Sequence, residues 1–301
     1  MSEVADQAGG EVADLDRLVE VAARLAAAGV GPARAEARWL TEHARAVAPS
    51  PAQVPAVLED LVRRRESREP IQLIVGHWPF RTVELAVAPG VFLPRPETEV
   101  VAQLAIDAAR AVVARRGAAR VVEPCTGTGA IALSLLVEVP SVSVIAADVD
   151  PTAVALATAN LTRVRDGSAG VRPARGATAS VVHSDLLAAV DPAWRGHLDV
   201  LVANPPYLPA ADRGSFPPEV ASYDPDRALV GGEDGHEVVD ALLVLAAEWL
   251  RPGGTVVLEI DERRGADVRA AAARAGLTAV RVVCDLTGAD RAVVAERPDL
   301  V

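Results

Sequence analysis

The chain has little cysteine and no long apolar run. Its two cysteines, Cys125 and Cys284, lie far apart in sequence, so neither a disulfide framework nor a cysteine-based zinc site is expected. The sequence contains no run of about 18 apolar residues, so no transmembrane helix is predicted. The N-terminal segment is acidic where a signal peptide would be basic and then apolar. We therefore expect a cytoplasmic protein with reduced cysteines.

Positive charge is scarce relative to negative charge. The 301 residues carry a formal net charge of -11, whereas nucleic-acid affinity rests mainly on clustered Lys and Arg. We therefore predict a monomer that acts on a protein or a small molecule, without direct contact to nucleic acid. No metal site is predicted either, because metal-ligand spacing is absent from the histidines, which are His43, His77, His183, His197 and His236.

Three regions differ in the spacing of their apolar residues. Residues 1–68 carry apolar stripes at helical spacing, which predict a small helical domain. Residues 69–93 mix β-branched and aromatic residues with Gly and Pro, a pattern typical of one or two short β-hairpins. Residues 94–301 form the largest region. Trp39 and Trp249 both lie in helical stripes, so we expect both in a core.

The largest region alternates apolar runs with helical segments. The runs predict strands at 120–122, 142–147, 180–183, 198–203 and 255–260, separated by helices at 130–137, 151–162 and 237–250. This order is typical of an α/β fold with a doubly wound parallel sheet. The last part instead predicts two strands joined by a short turn, and an antiparallel pair would distinguish this sheet from a plain dinucleotide-binding fold.

A Gly-rich turn follows the first predicted strand, in VVEPCTGTGAIALSLL. The turn and the free amides of the following helix can approach a ligand. Asp148 ends the second strand about twenty residues later, where a carboxylate can accept hydrogen bonds from ribose hydroxyls. Asp150 precedes Pro151 and is predicted to cap a helix. The candidate ligand-binding residues of the turn are Cys125, Thr126, Gly127, Thr128 and Gly129.

The type of cofactor follows from what the turn does and does not contain. Neither G-x-G-x-x-G nor G-x-x-x-x-G-K-[ST] is present, and the turn has no Lys to reach a phosphate. Together with the antiparallel final strand and an Asn-Pro-Pro-Tyr after the fourth strand, this favours S-adenosylmethionine. Asp185 is predicted to accept from the adenine amino group, and Leu186 to pack on the adenine face.

The fourth strand ends in VLVANPPYLP, which places Asn204 at the edge where the cofactor is expected. Its side-chain oxygen can accept one hydrogen of a planar NH2 group and the Pro205 carbonyl can accept the other. Pro206 stiffens the loop, and Tyr207 offers a ring for stacking. These are also ordinary turn residues, but their place in this fold favours methyl transfer by positioning. Asn204 is predicted to touch both cofactor and substrate.

Asn-Pro-Pro-Tyr is shared with adenine-amino DNA methyltransferases and other amide or amine methylators. The segment PGVFLPRPETEVV, residues 89–101, is more specific to one family than Asn-Pro-Pro-Tyr is. On these motifs the chain resembles the peptide-chain release-factor glutamine methyltransferases, which modify the Gln of the Gly-Gly-Gln loop in release factors. Residues 223–235 and the N-terminal helices extend the likeness to nearly the whole chain. The resemblance implies a seven-stranded class I S-adenosylmethionine-dependent methyltransferase domain and an N-terminal domain that binds the release factor.

The sequence also departs from this family. Where the family usually has Asp-Leu-Gly, the chain has Glu123, Pro124 and Cys125, and this difference is expected to weaken or reshape cofactor binding. Cys125 is interpreted as a packing residue, because methyl transfer needs no nucleophilic thiol. Two alternatives stay open at this point. They are methylation of adenine in DNA or RNA, and a non-catalytic S-adenosylmethionine-binding module.

Overall fold

The computed structural model describes the backbone of residues 2–299 and the side chains of residues 15–299. The chain forms two compact units. The first consists of Met1–Gly76 and Pro217–Tyr223, and the second of His77–Phe216 and Asp224–Val301. The first unit therefore takes a short segment from late in the chain.

Helices and strands follow one another along both units. The helices are α1 (Ser2–Ala27), α2 (Ala33–Val47), α3 (Val54–Glu66), α4 (Ile71–Val75), α5 (Thr98–Arg116), α6 (Ala130–Glu138), α7 (Pro151–Asp166), α8 (Pro218–Tyr223), α9 (Asp226–Leu229), α10 (Glu237–Trp249) and α11 (Gly265–Arg274). The strands are β1 (His77–Phe80), β2 (Val83–Ala86), β3 (Ala119–Pro124), β4 (Val142–Asp148), β5 (Thr178–His183), β6 (Leu198–Ala203), β7 (Leu250–Glu259), β8 (Thr278–Cys284) and β9 (Asp290–Glu296).

The first unit is helical and has a small apolar core. Leu25 of α1, Leu40 of α2 and Val62 of α3 are fully buried. The expectation of a core position for Trp39 is wrong, because this residue of α2 is 45% exposed. Trp249 of the second unit is 8% exposed, as expected. The helical spacing of apolar residues thus predicted the helix but not which of these residues are buried.

A charge network within the first unit holds its late segment. Arg65 of α3 donates to Glu36 of α2 at 2.5 Å and to Glu219 of α8 at 3.1 Å. Arg68 donates to Glu219 at 2.7 Å. Although burial alone would raise it, the bonds from Arg68 and Arg65 lower the pKa of Glu219 to about 2. The carboxylate is therefore ionised at neutral pH and fixes α8 to the helical unit.

The second unit is built on a seven-stranded sheet, counted over residues 2–299, in the order β5-β4-β3-β6-β7-β9-β8. The first five strands in this order are parallel, and β9 runs antiparallel to both β7 and β8. This confirms the predicted α/β class with its antiparallel final strand. From β3 the chain adds β4 and β5 toward one edge of the sheet, and β6 then pairs with the other side of β3. The carboxyl ends of β3 and β6 therefore flank a topological switch point, where open sheets bind ligands.

Both faces of the sheet are covered, as the apolar runs require. Val121, Val200 and Val257 belong to a core cluster on one face, while the next residue of each strand belongs to the cluster on the other. Parallel strands buried on both faces read as continuous apolar runs. The polar residues that follow such strands are therefore the informative ones.

Two further features complete the fold. In the region of the predicted hairpins, α4 is followed by a single antiparallel hairpin of β1 and β2. Asp150 caps α7 by accepting from the Thr152 amide at 2.9 Å, as predicted.

Among the described residues, no helix combines the length and the apolar character needed to cross a membrane.

Candidate active site

A cavity of about 310 Å³ lies at the carboxyl ends of the parallel strands in the second unit. Small-molecule sites typically have volumes of roughly 300 to 1,000 Å³. Gly129, Pro205 and Tyr207 are not among its lining residues. The predicted site residues that line it are Cys125, Thr126, Gly127, Thr128, Asp148, Asp185, Leu186, Asn204 and Pro206.

The Gly-rich turn is fixed to the second parallel strand. The Thr126 amide donates to the Ala147 carbonyl at 3.0 Å, and the Gly127 amide donates to Asp148 Oδ2 at 2.9 Å. Asp148 Oδ1 accepts from the Asp150 amide at 2.9 Å. Burial raises the pKa of Asp148, whereas these amide bonds oppose the rise. The carboxylate thus orders the turn while it faces the cavity, with further lone pairs available to a ligand.

Glu123 is turned into the loop. Its Oε2 accepts from the Thr126 hydroxyl at 2.6 Å and from the Ala132 amide at 2.9 Å, and the residue is 2% exposed. Burial raises the pKa of Glu123 to about 8. This side chain ties the end of β3 to the turn and to the start of α6. The departure from the family pattern therefore keeps a carboxyl group that organises the loop.

Glu123→Gln is expected to flatten the pH dependence of stability. The folded-state pKa of about 8 lies above the ordinary value of 4.5. The contribution of this group is therefore fully present below the unfolded-state pKa and is lost as pH rises through the folded-state pKa. Denaturant unfolding between about pH 5 and about pH 9 measures the loss. Equal slopes in both proteins would contradict the shift.

Cys125 occupies the position of a missing glycine at a backbone angle that favours glycine. Its φ is 59°, in the left-handed region. Burial raises the pKa of its thiol, so the sulfur stays protonated at neutral pH. A protonated thiol is a weak nucleophile, which agrees with the packing interpretation.

Cys125→Gly is expected to stabilise the protein by about 1 kcal/mol, because the left-handed conformation strains a residue with a Cβ. Cys125→Ala is the matched control, since it removes the thiol and keeps the Cβ. We expect no gain from the Ala variant. Thermal and denaturant unfolding of both variants measures the difference, and equal stability of the two would argue against backbone strain at this position.

The third parallel strand leads into the next part of the wall. The Ser184 amide donates to the Asp148 carbonyl at 2.9 Å, and the Ser184 hydroxyl accepts from the Ala189 amide at 2.9 Å. These bonds hold Asp185 and Leu186, both of which line the cavity. An acidic and an apolar side chain thus lie next to each other in the part of the cavity where adenine is predicted to bind.

Asn204 projects from the end of β6 into the cavity lining. Its Nδ2 donates to Thr98 Oγ1 at 3.1 Å. Thr98 is the first residue of α5 and is 5% exposed. Because the amide nitrogen is held by Thr98, the side-chain oxygen is left for another partner. The Asn-Pro-Pro-Tyr and Pro-Arg-Pro-Glu-Thr-Glu motifs, about a hundred residues apart, therefore meet at one hydrogen bond.

Tyr207 and Glu259 form a second polar contact behind this loop. The Tyr207 hydroxyl donates to Glu259 Oε1 at 3.2 Å. Burial raises the pKa of Tyr207, and the Glu259 charge adds to the rise. The Tyr207 hydroxyl is therefore protonated at neutral pH and acts as a donor.

The segment at 223–235 forms another part of the cavity wall through Pro225, Arg227, Ala228 and Val230. Asp224 anchors it by pairing with Arg95 and accepting from the Leu93 amide at 3.3 Å.

Two glycines let this segment pack closely against the Asn-Pro-Pro-Tyr loop. A Cβ at Gly231 would collide with the Pro206 carbonyl oxygen, and one at Gly235 with the Tyr207 carbonyl oxygen. The Leu208 amide also donates to the Leu229 carbonyl at 2.9 Å. Close packing against the loop thus explains why Gly231 and Gly235 of YDPDRALVGGEDG are glycines.

Sequence reasoning missed the roles of Thr98, Asp224 and Glu259. Thr98 lies in residues 89–101 and Asp224 in residues 223–235, and both segments resemble the family without indicating a role for these two residues. Glu259 lies inside the predicted strand at 255–260, and a carboxylate at the end of a buried strand is a usable signal. The contacts of all three depend on segments far apart in sequence.

Comparison with known proteins agrees with this geometry. A family model described as the methyltransferase small domain matches residues 95–214, and one described as the PrmC N-terminal domain matches residues 16–76. A crystal structure of a methyltransferase from Pyrococcus furiosus aligns with a TM-score of 0.50 and 19% identity, covering 72% of this chain and 90% of that chain. This similarity supports the fold alone.

Two curated relatives have equal identity to this chain but different names. A release factor glutamine methyltransferase of Mycolicibacterium smegmatis is 38% identical over 91% of this chain and 94% of that protein. A 4-amino-L-phenylalanine/4-methylamino-L-phenylalanine methyltransferase of Streptomyces pristinaespiralis is 38% identical over 80% of this chain and 81% of that protein. The first name specifies glutamine, whose side chain carries an amide NH2 group, and the second specifies ring amines, one of them the NH2 group of 4-amino-L-phenylalanine.

Proposed function

Because this chain belongs to the release factor glutamine methyltransferases, we propose that it methylates the side-chain amide nitrogen of the Gln in the Gly-Gly-Gln motif of peptide chain release factors. The hydrogen bond from Asn204 to Thr98 carries the proposal. It joins a motif suited to any planar NH2 group to the segment that resembles this family alone. The non-catalytic alternative is disfavoured, because the amide-binding side chain is oriented and faces the cavity.

The cavity lining fits S-adenosylmethionine, the cofactor of this family. Asp148 offers carboxylate lone pairs for the ribose hydroxyls, while Leu186 and Phe92 offer apolar surface. Asp185 offers an acceptor for the adenine amino group. When bound, S-adenosylmethionine would supply a methyl group on a positively charged sulfur, and loss of that methyl group would leave a neutral thioether.

The protein contributes position rather than a strong base. The substrate amide nitrogen would accept the methyl group, and the methylated amide would then release one proton to water. An amide is a weak nucleophile, so holding both hydrogens with Asn204 Oδ1 and the Pro205 carbonyl aims its lone pair. Pro206 lines the cavity and bounds the space around the flat group, and the ring of the adjacent Tyr207 is proposed to stack on that group.

The first unit is proposed to bind the release factor. Its match to the PrmC N-terminal domain supports this assignment. We further propose that the protein acts as a monomer in the cytoplasm and without direct contact to nucleic acid. The net charge of -11 supports the last point.

An aromatic amine is the second candidate substrate. The relative from Streptomyces pristinaespiralis favours it, because that protein is named for 4-amino-L-phenylalanine and is 38% identical to this chain, as the release-factor relative is, although over a smaller share of it. An aniline NH2 is planar or nearly so and can use the same acceptors.

The two candidates are separated by one labelling experiment. The protein is incubated with methyl-labelled S-adenosylmethionine and, in separate reactions, with release factor, release factor in which the loop Gln is changed to Ala, 4-amino-L-phenylalanine or DNA. Label on the intact release factor alone supports the proposal. Label on the small amine or on DNA, with none on the release factor, would overturn it.

A further inference from the structure

A buried carboxylate stands behind the Asn-Pro-Pro-Tyr loop and takes no part in the steps above. Glu259 is the last residue of β7 and is 2% exposed. The parallel register pairs Ala203 of β6 with Leu258 of β7. The next residues, Asn204 and Glu259, are therefore neighbours at the carboxyl ends of the two strands.

The two oxygens of this carboxylate differ in their contacts. Oε1 accepts from the Tyr207 hydroxyl at 3.2 Å. Oε2 is buried and has no hydrogen-bond partner among the described residues. The neighbouring Thr98 hydroxyl acts on the same carboxyl group and lowers its pKa. An acceptor is thus left beside a hydroxyl that already accepts from Asn204.

The direction of the hydrogen bonds follows from a count of protons. A hydroxyl has one proton to donate, and Thr98 Oγ1 accepts from Asn204 Nδ2 at 3.1 Å. An ionised Glu259 would attract the Thr98 proton toward its unpartnered oxygen, and Thr98 would then be left to accept from Asn204. That arrangement leaves the Asn204 oxygen for the substrate. A protonated Glu259 can instead donate to Thr98, whose own proton then favours the opposite orientation of the Asn204 amide.

We propose that Glu259 is a positioning residue which, as a carboxylate, orients the Asn204 amide through Thr98 and holds the Tyr207 ring through its hydroxyl. The inference rests on the proposed function, because it concerns how the substrate NH2 group is held. It adds a third element, the end of β7, to the two motifs that meet at the loop.

Burial and the groups around Glu259 set its pKa near neutral pH, where a change of charge can be followed in the pH dependence of kcat. Burial raises its pKa to about 7, while the Thr98 hydroxyl, the positive charge of Arg291 on β9 and the Tyr207 hydroxyl oppose the rise. Glu97, just before α5, adds to it. Since the ionised form orients Asn204, we expect kcat to fall as pH decreases through this value.

Glu259→Gln is the first test, because it keeps the shape of the side chain and removes the charge. We expect kcat on release factor to fall roughly tenfold to a hundredfold, as for a misplaced reacting group. The Kd of S-adenosylmethionine should change less than about twofold, and the fall of kcat at low pH should disappear. Glu248→Gln is the control, since this exposed residue pairs with Arg195 away from the loop.

A double variant separates positioning from general destabilisation. Tyr207→Phe removes one hydrogen bond to Glu259 and keeps the ring. If both side chains act as one unit, the double variant Glu259→Gln with Tyr207→Phe should be about as impaired as the worse single variant. Additive losses would overturn the shared role.

Tyrosine spectra provide a readout that needs no activity. The sequence has two tyrosines, so ¹³C-tyrosine labelling gives two sets of ring signals, assigned with Tyr207→Phe. The Tyr207 signal should shift between about pH 6 and about pH 8 in the wild type and stay constant in Glu259→Gln. The second tyrosine, Tyr223, serves as the reference.

The outcomes distinguish this inference from the proposed function. An inactive wild type with a titrating Tyr207 signal would refute the substrate assignment and leave the Glu259 contact standing. An active wild type whose Glu259→Gln variant keeps kcat and its pH profile would refute the positioning role. If that variant fails to fold, the wild-type titration decides, and a constant Tyr207 signal overturns the proposal.

Discussion

Asn204→Ala is expected to lower the rate of methyl transfer by roughly a hundredfold to a thousandfold while S-adenosylmethionine still binds. The variant loses the acceptor proposed for the substrate amide and the donor to Thr98. With only the Pro205 carbonyl left to hold one hydrogen, the weak lone pair is no longer aimed at the methyl carbon. Single-turnover rates on release factor and calorimetric titration with cofactor measure the two effects separately.

Asn204→Asp is the matched variant, because it keeps the size and one acceptor but cannot donate to Thr98. We expect it to be impaired as well, since the hydrogen bond that orients the side chain is lost. Full activity of the Ala variant would refute the role of Asn204. A loss confined to cofactor affinity, with normal single-turnover rates at saturation, would also refute it.

Asp148→Ala is expected to weaken S-adenosylmethionine binding by roughly a hundredfold, as when charged hydrogen bonds are lost. The residue accepts from the amides of Gly127 and Asp150, so its loss also frees the Gly-rich turn. Methyl transfer at saturating cofactor should be affected less, because Asp148 does not hold the substrate. Calorimetry and steady-state kinetics as a function of cofactor concentration measure both quantities.

Asp166→Ala is a suitable control, since Asp166 ends α7 on the exposed surface and bonds to the Ser168 amide. Its cofactor affinity should match the wild type. Unchanged affinity in Asp148→Ala would show that the turn and ribose site do not depend on this carboxylate. A large loss of kcat with unchanged affinity would be equally contrary to the assignment.

Much of the fold could be predicted because its strands are continuous apolar runs. Such runs, each followed by a helical stripe, determine a parallel sheet, and the prediction from 198–203 coincides with β6. The position of β9 between β7 and β8 could not be read in this way, since pairing between distant strands depends on register and twist. Trp39 shows a second limit, because periodicity gives the apolar face of a helix but not what covers it.

The candidate site was predictable where its residues are adjacent in sequence. The Gly-rich turn, Asp148 and the loop after β6 each follow a strand, and open sheets place strand ends together. The partners of these groups were not predictable. Thr98 and Glu259 reach Asn204 and Tyr207 from a helix and a strand far away in sequence, and the raised pKa of Glu259 follows from burial that only the packed chain creates.

The discontinuity of the helical unit has a consequence for dividing the protein into fragments. The family match to the N-terminal domain ends at residue 76, yet Glu219 belongs to the same compact unit and takes bonds from Arg65 and Arg68. A fragment cut at the family boundary would leave two guanidinium groups without that carboxylate. An independently folded helical domain would therefore need α8 grafted back, or Arg68 replaced by a neutral residue.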